Sequence, residues 1–387
     1  MGTRRPPNRK AQIRSTAAEL FLEHGYHNVS VTDVAGALGI TASALYHHYR
    51  NKQDLLLHAV LDDLDAVDTL IGQAAGLDEA LHALAALVVG PRGALAVWER
   101  EARYLEGAQR EAILARQAEV AAHFAPLVRA ERPEISDADA ELLAWAVLGA
   151  LGSRSRHRSS LSRRRDEQLM HHLGAVTAHC ELPEHDRPEP QPATGRNGAG
   201  AGLRRPRRDQ LLAEAIRLFD ERGYQSITMA DIGEAAGIVA SGVYRHFPGK
   251  TDILVAAMNR GGERMRAGAE QALEQARDPE EALELLLRAH ITICVEHMHL
   301  VGILTHERDQ LPEKERTALR RFQADYLTTW VEALGAARPE REQAELKTII
   351  NAVHGMIYFI VRSGRIRFRP GLEQQLCELG SALLRNG

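Results

Sequence analysis

Apolar residues recur at helical spacing along most of the chain. In residues 9–24 they stand at i, i+4, i+7 and i+8, which is one face of an amphipathic helix. These residues are Ile13, Ala17, Leu20 and Phe21. Gly25 follows, and glycine is favoured where a helix ends. Runs of β-branched residues, which favour strands, are few. The pattern predicts an all-α protein.

Capping residues and a glycine predict two short helices after the first. Ser30 is a good N-cap, and Asp33, three residues later, completes a start that resembles a capping box. Gly39 ends this helix, and Thr41 caps the next one. The second helix is predicted at residues 30–38 and the third at 42–49, and Lys52 and Asp54 open a fourth helix at Asp54. Two short helices joined by a tight turn with a glycine predict a helix-turn-helix.

The same pattern occurs twice. Residues 9–56 align without a gap with residues 207–254, and 19 of the 48 aligned positions are identical. The apolar stripe of the second copy is Leu211, Ala215, Leu218 and Phe219. A repeat this long is a duplicated domain rather than a solenoid unit, which spans about 20–50 residues.

One capping position differs between the copies. Val239 stands where Thr41 stands in the first copy, whereas Thr228 keeps the cap of the second helix. Valine accepts no capping hydrogen bond, and the loss of a cap costs about 1 kcal/mol. Pro248 and Gly249 also replace Arg50 and Asn51 before the fourth helix.

Composition and charge restrict the class of protein. The chain has 387 residues, of which 44% are hydrophobic and 26% charged, as in an ordinary globular protein. Its three cysteines make no disulfide scaffold, and no apolar run of about 18 residues predicts a membrane span. We therefore expect a cytoplasmic protein. The net charge of -4 gives no sign of a nucleic-acid partner, so any such sign is local.

A stretch rich in proline and glycine separates the copies and predicts a flexible linker. The expected organisation is two helix-turn-helix domains, each followed by a larger helical domain with five or six helices. The predicted ranges are 1–56 and 57–180, the linker at 181–203, and then 204–254 and 255–387.

Each copy carries a specific motif. The segments FLEHGY…SVTDVAGALGITASALYHHYRNKQDLL and FDERGY…TMADIGEAAGIVASGVYRHFPGKTDIL resemble the DNA-binding domain of TetR/AcrR-family transcription regulators. The resemblance covers about 48 residues in each copy. It implies that the third helix enters the major groove of an operator and that its N-terminal residues read the bases.

The resemblance also implies roles for individual positions. Those facing the bases would be Ala42, Ser43, Ala44 and His47, and Ala240, Ser241, Gly242 and Arg245. Those contacting phosphates would be Tyr46, Lys52, Tyr244 and Lys250, with Thr41 and the helix-two caps Ser30 and Thr228 adding donors. For the small alanine and serine residues, the alternative to reading the bases is a spacer role that lets the helix approach the DNA closely. For the two tyrosines, packing in the core is the alternative.

Basic segments precede both copies. They contain Arg4 and Arg5, and Arg204 and Arg205. Such segments are either solvated tails or arms that contact phosphates or the minor groove.

In this family the large domain holds a small-molecule effector, and its last two helices form a four-helix bundle across a dimer. The expected pairs here are residues 138–152 with 166–180, and 342–362 with 372–384. The pocket candidates are Trp98, Tyr104, Trp145, Phe322, Tyr326, Asn351 and His354. Core packing is the alternative for each of them. The basic run 154–165 is expected to be an exposed loop, with attraction of an anionic ligand as the alternative.

No catalytic motif is present, so we expect no enzyme and no cofactor. His290, Cys294 and His297 share one helix face with the spacing of metal ligands, but apolar residues surround them and no close cysteine pair accompanies them. We therefore predict no metal site.

Together these features predict a repressor that binds an operator and is released by a small molecule. The alternative is a DNA-binding regulator or scaffold without an effector, in which the second helix-turn-helix is degenerate. The assembly is either an intramolecular pseudo-dimer or a homodimer of chains.

Overall fold

The computed structural model describes residues 9–90, 104–105, 107–157, 159–183 and 206–387. The chain divides into two compact units. The first comprises Met1–His179, His354–Met356 and Gly387, and the second comprises Cys180–Val353 and Ile357–Asn386. Most of the predicted linker, Arg4, Arg5, Arg204, Arg205 and Trp98 lie outside the described residues.

The described part of the first unit is helical. Its α-helices are α1 (Arg9–His24), α2 (Val31–Ala37), α3 (Ala42–Tyr46), α4 (Lys52–Gln73), α5 (Leu77–Val89), α6 (Gly107–Glu131), α7 (Asp137–Gly152) and α8 (Arg163–Ala178). Short 3₁₀ turns lie at Tyr26–Asn28 and Ser153–Arg156.

The second unit has the same order of elements. Its α-helices are α9 (Arg207–Arg222), α10 (Met229–Ala235), α11 (Ala240–Tyr244), α12 (Lys250–Gln275), α13 (Pro279–Glu296), α14 (Met298–His306), α15 (Glu313–Ala337), α16 (Gln343–Arg362) and α17 (Leu372–Asn386). Further 3₁₀ turns lie at Arg308–Gln310 and Ile366–Phe368. No strand occurs among the described residues, and the predicted all-α class is confirmed.

Two details of the helix-turn-helix prediction were wrong. The third helix ends at Tyr46 instead of residue 49, because the chain must turn there to bury Tyr49 in the core. The fourth helix begins at Lys52, two residues before Asp54, because the Asn51 side chain caps it by accepting from the Asp54 N–H at 2.7 Å.

The expected domain boundaries at 56/57 and 254/255 fall inside helices α4 and α12. The apolar face of α4 runs without a break from Leu55 to Ile71, so one helix serves both domains. Each small domain therefore continues directly into its large domain. In the second unit, one apolar cluster joins the two, since it includes both Phe219 of α9 and Leu319 of α15.

The predicted ends of the last helices lie within three residues of those of α7, α8, α16 and α17. Among the described residues, α16 is long and apolar enough to cross a membrane by length and composition alone. However, 61% of its apolar window is buried inside the protein, as in a core helix.

Candidate nucleic-acid interface

Capping boxes fix the start of the second helix in both copies. In α2 the Ser30 hydroxyl accepts from the Asp33 N–H at 3.1 Å, and the Asp33 carboxylate accepts from the Ser30 N–H at 2.7 Å. Thr228 and Asp231 make the same pair of bonds at 3.2 and 2.7 Å in α10. Hydrogen bonds from the cap side chain and backbone hold the pKa of both carboxyls below the ordinary range. The predicted caps are confirmed, and the hydroxyls of Ser30 and Thr228 are already engaged in them.

A glycine with positive φ turns the chain between the second and third helices. Gly39 has φ of 63° and Gly237 has φ of 69°. This region strains residues with a Cβ atom, so glycine is the natural choice at the turn. Both turns therefore present a short third helix, α3 or α11, at the surface.

The third helix of each copy is held by two buried residues and exposes a tyrosine between them. Leu45 and Tyr49 anchor α3, at 0% and 2% exposure, while Tyr46 is 53% exposed. In α11, Val243 and Phe247 are buried and Tyr244 is 55% exposed. The alternative of core packing for Tyr46 and Tyr244 is therefore wrong, because the adjacent anchors occupy the core.

Most residues expected to face the bases are accessible. Ser43, His47, Ser241 and Arg245 are exposed, and Ala42, Ala44 and Ala240 are half-buried. Gly242 is the exception, and we withdraw it from the set. It is buried, and a Cβ at this position would lie 3.0 Å from Cδ1 of Ile238, so it packs against the preceding turn.

The two third helices begin differently. In α3 the Thr41 hydroxyl accepts from the Ala44 N–H at 3.2 Å. Val239 makes no such bond at the start of α11, and its side chain is 70% exposed. At the start of the third helix, the second copy thus has an apolar side chain where the first has a hydroxyl that caps the helix.

Lys52 and Lys250 have partners inside the protein that the sequence did not predict. Each ammonium lies over a tyrosine ring, at 4.1 Å from the centroid of Tyr26 and 4.3 Å from that of Tyr224. Lys250 also donates to the Tyr224 carbonyl at 2.7 Å. Partial burial lowers the pKa of Lys250, against the attraction of Glu307. Both lysines therefore tie the turn after the first helix to the fourth helix.

Ion pairs of opposite polarity join the first and fourth helices of the two copies. Arg14 on α1 pairs with Asp62 on α4, whereas Asp209 on α9 pairs with Arg260 on α12. Asp62 and Arg260 lie beyond the aligned segments but keep their offset of 198 residues, so equivalent positions of the two fourth helices carry opposite charges. The contact has been kept with different residues.

A buried polar network joins the second small domain to its large domain. The Asp220 carboxylate, at the end of α9, is 3% exposed and accepts from His299 Nδ1 at 2.8 Å and Arg362 Nη1 at 2.9 Å. Burial disfavours its ionisation, but the attraction of Arg362 and the hydrogen bonds from His299 and Arg362 outweigh that and lower the pKa of Asp220. A Cβ at Gly302 would overlap Asp220, so α14 must have glycine there.

The sequence analysis missed this network. The available signal was the repeat itself, since Asp220 aligns with the apolar Leu22 of the first copy. Its partners are distant in the sequence, and only the packing of α14 and α16 brings them to it.

A cavity of about 180 Å³ lies in the second unit between α12 and α15. Its walls combine apolar and polar side chains: Val255, Met258, Asn259, Gly262, Glu263, Arg266, Leu311, Glu315, Ala318, Leu319 and Phe322. Met258, Leu311 and Leu319 also belong to the apolar cluster that contains the core of the second small domain. A molecule in this cavity would touch residues that pack against that core.

Two adjacent glycines of α12 differ in the space around them. A Cβ at Gly262 would lie 3.6 Å from the Phe322 ring, which is ordinary contact beside the cavity. A Cβ at Gly261 would lie 2.6 Å from Leu304 Cδ1 and 3.1 Å from its Cγ. Only Gly261 is therefore required for close packing of α12 against α14.

Among the described pocket candidates, one lines this cavity. Phe322 lines the cavity, and Tyr326 lies one turn further along α15, with 6.0 Å between the ring centroids. Tyr104 stacks on Tyr26 in the first unit at 5.2 Å, and Trp145 is buried in α7. Asn351 and His354 lie on α16 and do not line the cavity.

The cluster of possible metal ligands on α13 is a buried hydrogen-bonded group. His290 Nδ1 lies 3.0 Å from the Tyr326 hydroxyl, and the Cys294 thiol lies 3.5 Å from His290 Nε2. Burial lowers the pKa of His290 to about 4 and raises that of Cys294 to about 12. His297 contacts Arg264 instead. The pattern on the helix face is thus explained by internal packing.

In the basic run 154–165, Arg154 is bound within the protein. It pairs with the buried Asp166 at 2.7 Å and donates to the His157 carbonyl at 2.7 Å. These contacts leave Arg154 closing the turn between α7 and α8 rather than extending into solvent.

Comparison with known proteins agrees with this geometry. The family described as bacterial regulatory proteins, tetR family, matches residues 13–59 and 211–257. A tetracyclin repressor-like C-terminal domain matches residues 276–362. The two matches of the first model coincide with the two capped helix-turn-helix elements.

Similar curated proteins are regulators of transcription. The activator FasR of Mycolicibacterium smegmatis is 30% identical over 34% of this chain and 60% of its own length. The regulator LmrA of Bacillus subtilis is 27% identical over 38% of this chain and 81% of its own length. The repressor KstR2 of M. smegmatis is 32% identical over 24% of this chain and 45% of its own length. The matched stretches of FasR and KstR2 thus span less than two thirds of those proteins.

Two solved structures correspond to about half of this chain each. A TetR-family regulator from Bordetella parapertussis is 22% identical, covers 46% of this chain and 94% of its own, and has a TM-score of 0.43. KstR2 of Mycobacterium tuberculosis is 23% identical, covers 48% and 95%, and has a TM-score of 0.43. The family and these relatives are transcription regulators and not enzymes. The chain belongs to the TetR family of bacterial regulatory proteins and carries two tandem copies of the family's DNA-binding domain.

Proposed function

We propose that this protein is a sequence-specific, cytoplasmic repressor that binds an operator through both third helices and is released by a small molecule. The observation that carries the proposal is the pair of exposed third helices, each following a second helix that begins at a capping box and a turn at a positive-φ glycine. Such a helix places its N-terminal side chains against base edges in the major groove.

The two helices offer different chemistry to DNA. At equivalent positions α3 presents His47 and α11 presents Arg245, which can bind guanine through two hydrogen bonds. Thr41 and Val239 also differ, since an exposed valine favours contact with a thymine methyl group. We therefore expect an operator with two unlike half-sites.

Four further arginines precede the two copies and supply positive charge for the phosphate backbone: Arg4, Arg5, Arg204 and Arg205. We propose that they act as arms. Tyr46 and Tyr244 are well exposed for phosphate contacts, whereas Lys52 and Lys250 would have to leave their tyrosine partners to make them.

The cavity between α12 and α15 is the proposed effector site. It is smaller than the roughly 300–1,000 Å³ of typical ligand clefts, so it suits a small amphipathic molecule or one end of a longer one. Its apolar walls are continuous with the core of the second small domain. A ligand that binds more tightly to one orientation of the second small domain than to another shifts the equilibrium between the two orientations. The size of the shift is set by the difference between the two affinities.

In vitro selection of duplexes, followed by fluorescence anisotropy, tests DNA binding. We expect one enriched sequence with nanomolar affinity that weakens steeply with salt, because phosphate contacts release counterions. Arg245→Ala should cost about 1–3 kcal/mol and relax preference at one base pair. An equal affinity for selected and random duplexes would contradict the proposal.

Candidate effectors are then screened for two effects on the same protein, a raised melting temperature and release of the operator. Phe322→Ala, in the cavity wall, should reduce both effects. If ligands that release DNA also stabilise the Phe322→Ala variant fully, the effector binds elsewhere. If no ligand acts, the alternative of a regulator without an effector is favoured.

A further inference from the structure

Two histidines and an aspartate meet at the surface of the first unit, away from the helix-turn-helix. Asp78 and His82 stand four residues apart on α5, and His171 lies on α8, which packs against α5. Each residue offers one ligand atom, and the three atoms lie within 4.8 Å of one another. Among the described residues this is the one group of three such side chains. We propose that this group binds a divalent first-row transition ion such as Zn²⁺.

The distances between the donors fit a metal site. His171 Nε2 lies 2.9 Å from Asp78 Oδ1. In a tetrahedral zinc site with bonds of about 2.0–2.1 Å, neighbouring ligand atoms are about 3.3 Å apart. A small outward shift of one side chain is therefore enough to admit an ion between these two atoms.

The hydrogen bond made by His82 Nδ1 determines which nitrogen of this ring can bind a metal. His82 Nδ1 lies 3.0 Å from the Asp78 backbone carbonyl and 3.3 Å from the Asp78 carboxylate. A carbonyl oxygen only accepts, so Nδ1 carries the hydrogen and Nε2 of the neutral ring keeps its lone pair. Metal-binding histidines usually donate their other ring N–H in this way, which fixes the ring for the metal.

The two imidazoles are close enough to share an ion once they turn apart, because the lone pairs of their nitrogens lie in the ring planes. The rings of His82 and His171 have centroids only 3.6 Å apart, and the Asp78 carboxylate lies beside both. A divalent ion would accept the lone pairs of both rings and neutralise the carboxylate. To bind an ion through Nε2, which now faces Asp78, the neutral His171 ring would carry its hydrogen on Nδ1 instead, because a metal ligand nitrogen must be deprotonated.

The donor set selects the class of ion. Two imidazole nitrogens and one carboxylate suit Zn²⁺, Ni²⁺ and Cu²⁺, whereas Mg²⁺ and Ca²⁺ prefer oxygen ligands. Asp78 and His82 are 75% and 62% exposed, so water can complete the coordination. The bound ion would join α5 to α8 within the first unit. The sequence analysis did not predict this site because Asp78 and His171 are 93 positions apart in the sequence.

The same unit offers a matched control. His123 on α6 lies 2.7 Å from Asp68 on α4, so it is also a histidine paired with an aspartate across two helices. There Arg116 occupies the other carboxylate oxygen at 2.7 Å, and its positive charge repels a metal ion. His123→Ala should therefore leave metal binding unchanged.

The experiment measures Zn²⁺ binding to the tag-free full chain by calorimetry in metal-free buffer. We expect one ion per chain, with affinity reduced at least about tenfold by either His82→Ala or His171→Ala, because loss of even an outer partner costs about 10–100-fold. Unchanged affinity in both variants, or an equal loss in His123→Ala, would overturn the proposal. Competition by equimolar Mg²⁺ would also overturn it.

A second readout does not depend on the variants folding. Co²⁺ bound to the wild-type chain should show the strong visible absorption of a four-coordinate site with nitrogen ligands, and Zn²⁺ should abolish it. A weak, octahedral spectrum identical to that of aqueous Co²⁺ would refute the site. Neither measurement involves DNA, so the result is independent of the proposed operator binding.

Discussion

The network around Asp220 allows a quantitative test of how strongly the second small domain is held to its large domain. Asp220→Ala removes a carboxylate that is 3% exposed and leaves Arg362, at 18% exposure, without that partner. Breaking a buried ion pair by removing one partner costs about 3–5 kcal/mol. Because the guanidinium retains some contact with water, we expect the lower end, about 3 kcal/mol. For a domain stable by about 5–15 kcal/mol, that is a large loss.

A double variant distinguishes the net contribution of the ion pair from the cost of leaving Arg362 buried without Asp220. The first copy has Leu22 at the position of Asp220, so an apolar residue is compatible with this helix. Apolar replacement of both members of a buried pair is often neutral or stabilising. Asp220→Leu alone should therefore destabilise, and Asp220→Leu with Arg362→Met should recover most of the loss.

Differential scanning calorimetry of the full chain at pH 7 is the assay. For a unit of 150–250 residues, 3 kcal/mol shifts the melting temperature by about 6–12 °C. Asp209→Ala is the control, because it breaks an ion pair on the same helix whose members are 36% and 32% exposed. That exposed pair should contribute less than about 1 kcal/mol. If Asp220→Ala costs no more than Asp209→Ala, or the double variant is as unstable as the single one, the reasoning is wrong.

Three further predictions concern stability. Gly262→Ala should be more stable than Gly261→Ala by at least about 1 kcal/mol in urea unfolding, because both gain helix propensity but only Gly261 lacks space for a methyl group. Val239→Thr should stabilise and Thr41→Val destabilise the chain, each by about 1 kcal/mol, and equal melting temperatures would contradict the capping argument. Burial lowers the pKa of His290 to about 4, so the unfolded chain takes up this proton first as the pH falls below about 6.5. Stability should fall by about 2 kcal/mol between pH 7 and pH 5, and His290→Phe should flatten that dependence; an unchanged pH profile in the variant would contradict the assignment.

The sequence predicted local structure well because local rules decide it. Ser30 with Asp33 and Thr228 with Asp231 specify helix starts within four residues, and the structure contains both capping boxes. Gly39 and Gly237 likewise specify the turns. Because the two copies align over 48 residues, each conclusion about local structure in one copy also applies to the other.

Features that depend on packing between distant helices were not predictable in this way. Asp220 meets Arg362 across 142 residues, and the orientation of Lys250 towards Tyr224 depends on how two helices meet. Gly242 was placed among base-facing residues by position alone, and only the packing of Ile238 against it showed that it is buried. Among the pocket candidates, Phe322 lines the cavity and Trp145 is buried in α7, and the sequence alone does not distinguish these two roles.

The affinity of single-head variants for the selected duplex tests the central claim, that both copies bind DNA. Tyr46→Ala and Tyr244→Ala each remove a side chain that is more than half exposed, at 53% and 55%, so both variants should fold. Fluorescence anisotropy at one salt concentration compares wild type, each single variant and the double variant. We expect each single variant to weaken binding by about tenfold and the double variant by more than either. Undiminished affinity in Tyr244→Ala would contradict a DNA-binding role for the second copy and leave a regulator with one active head.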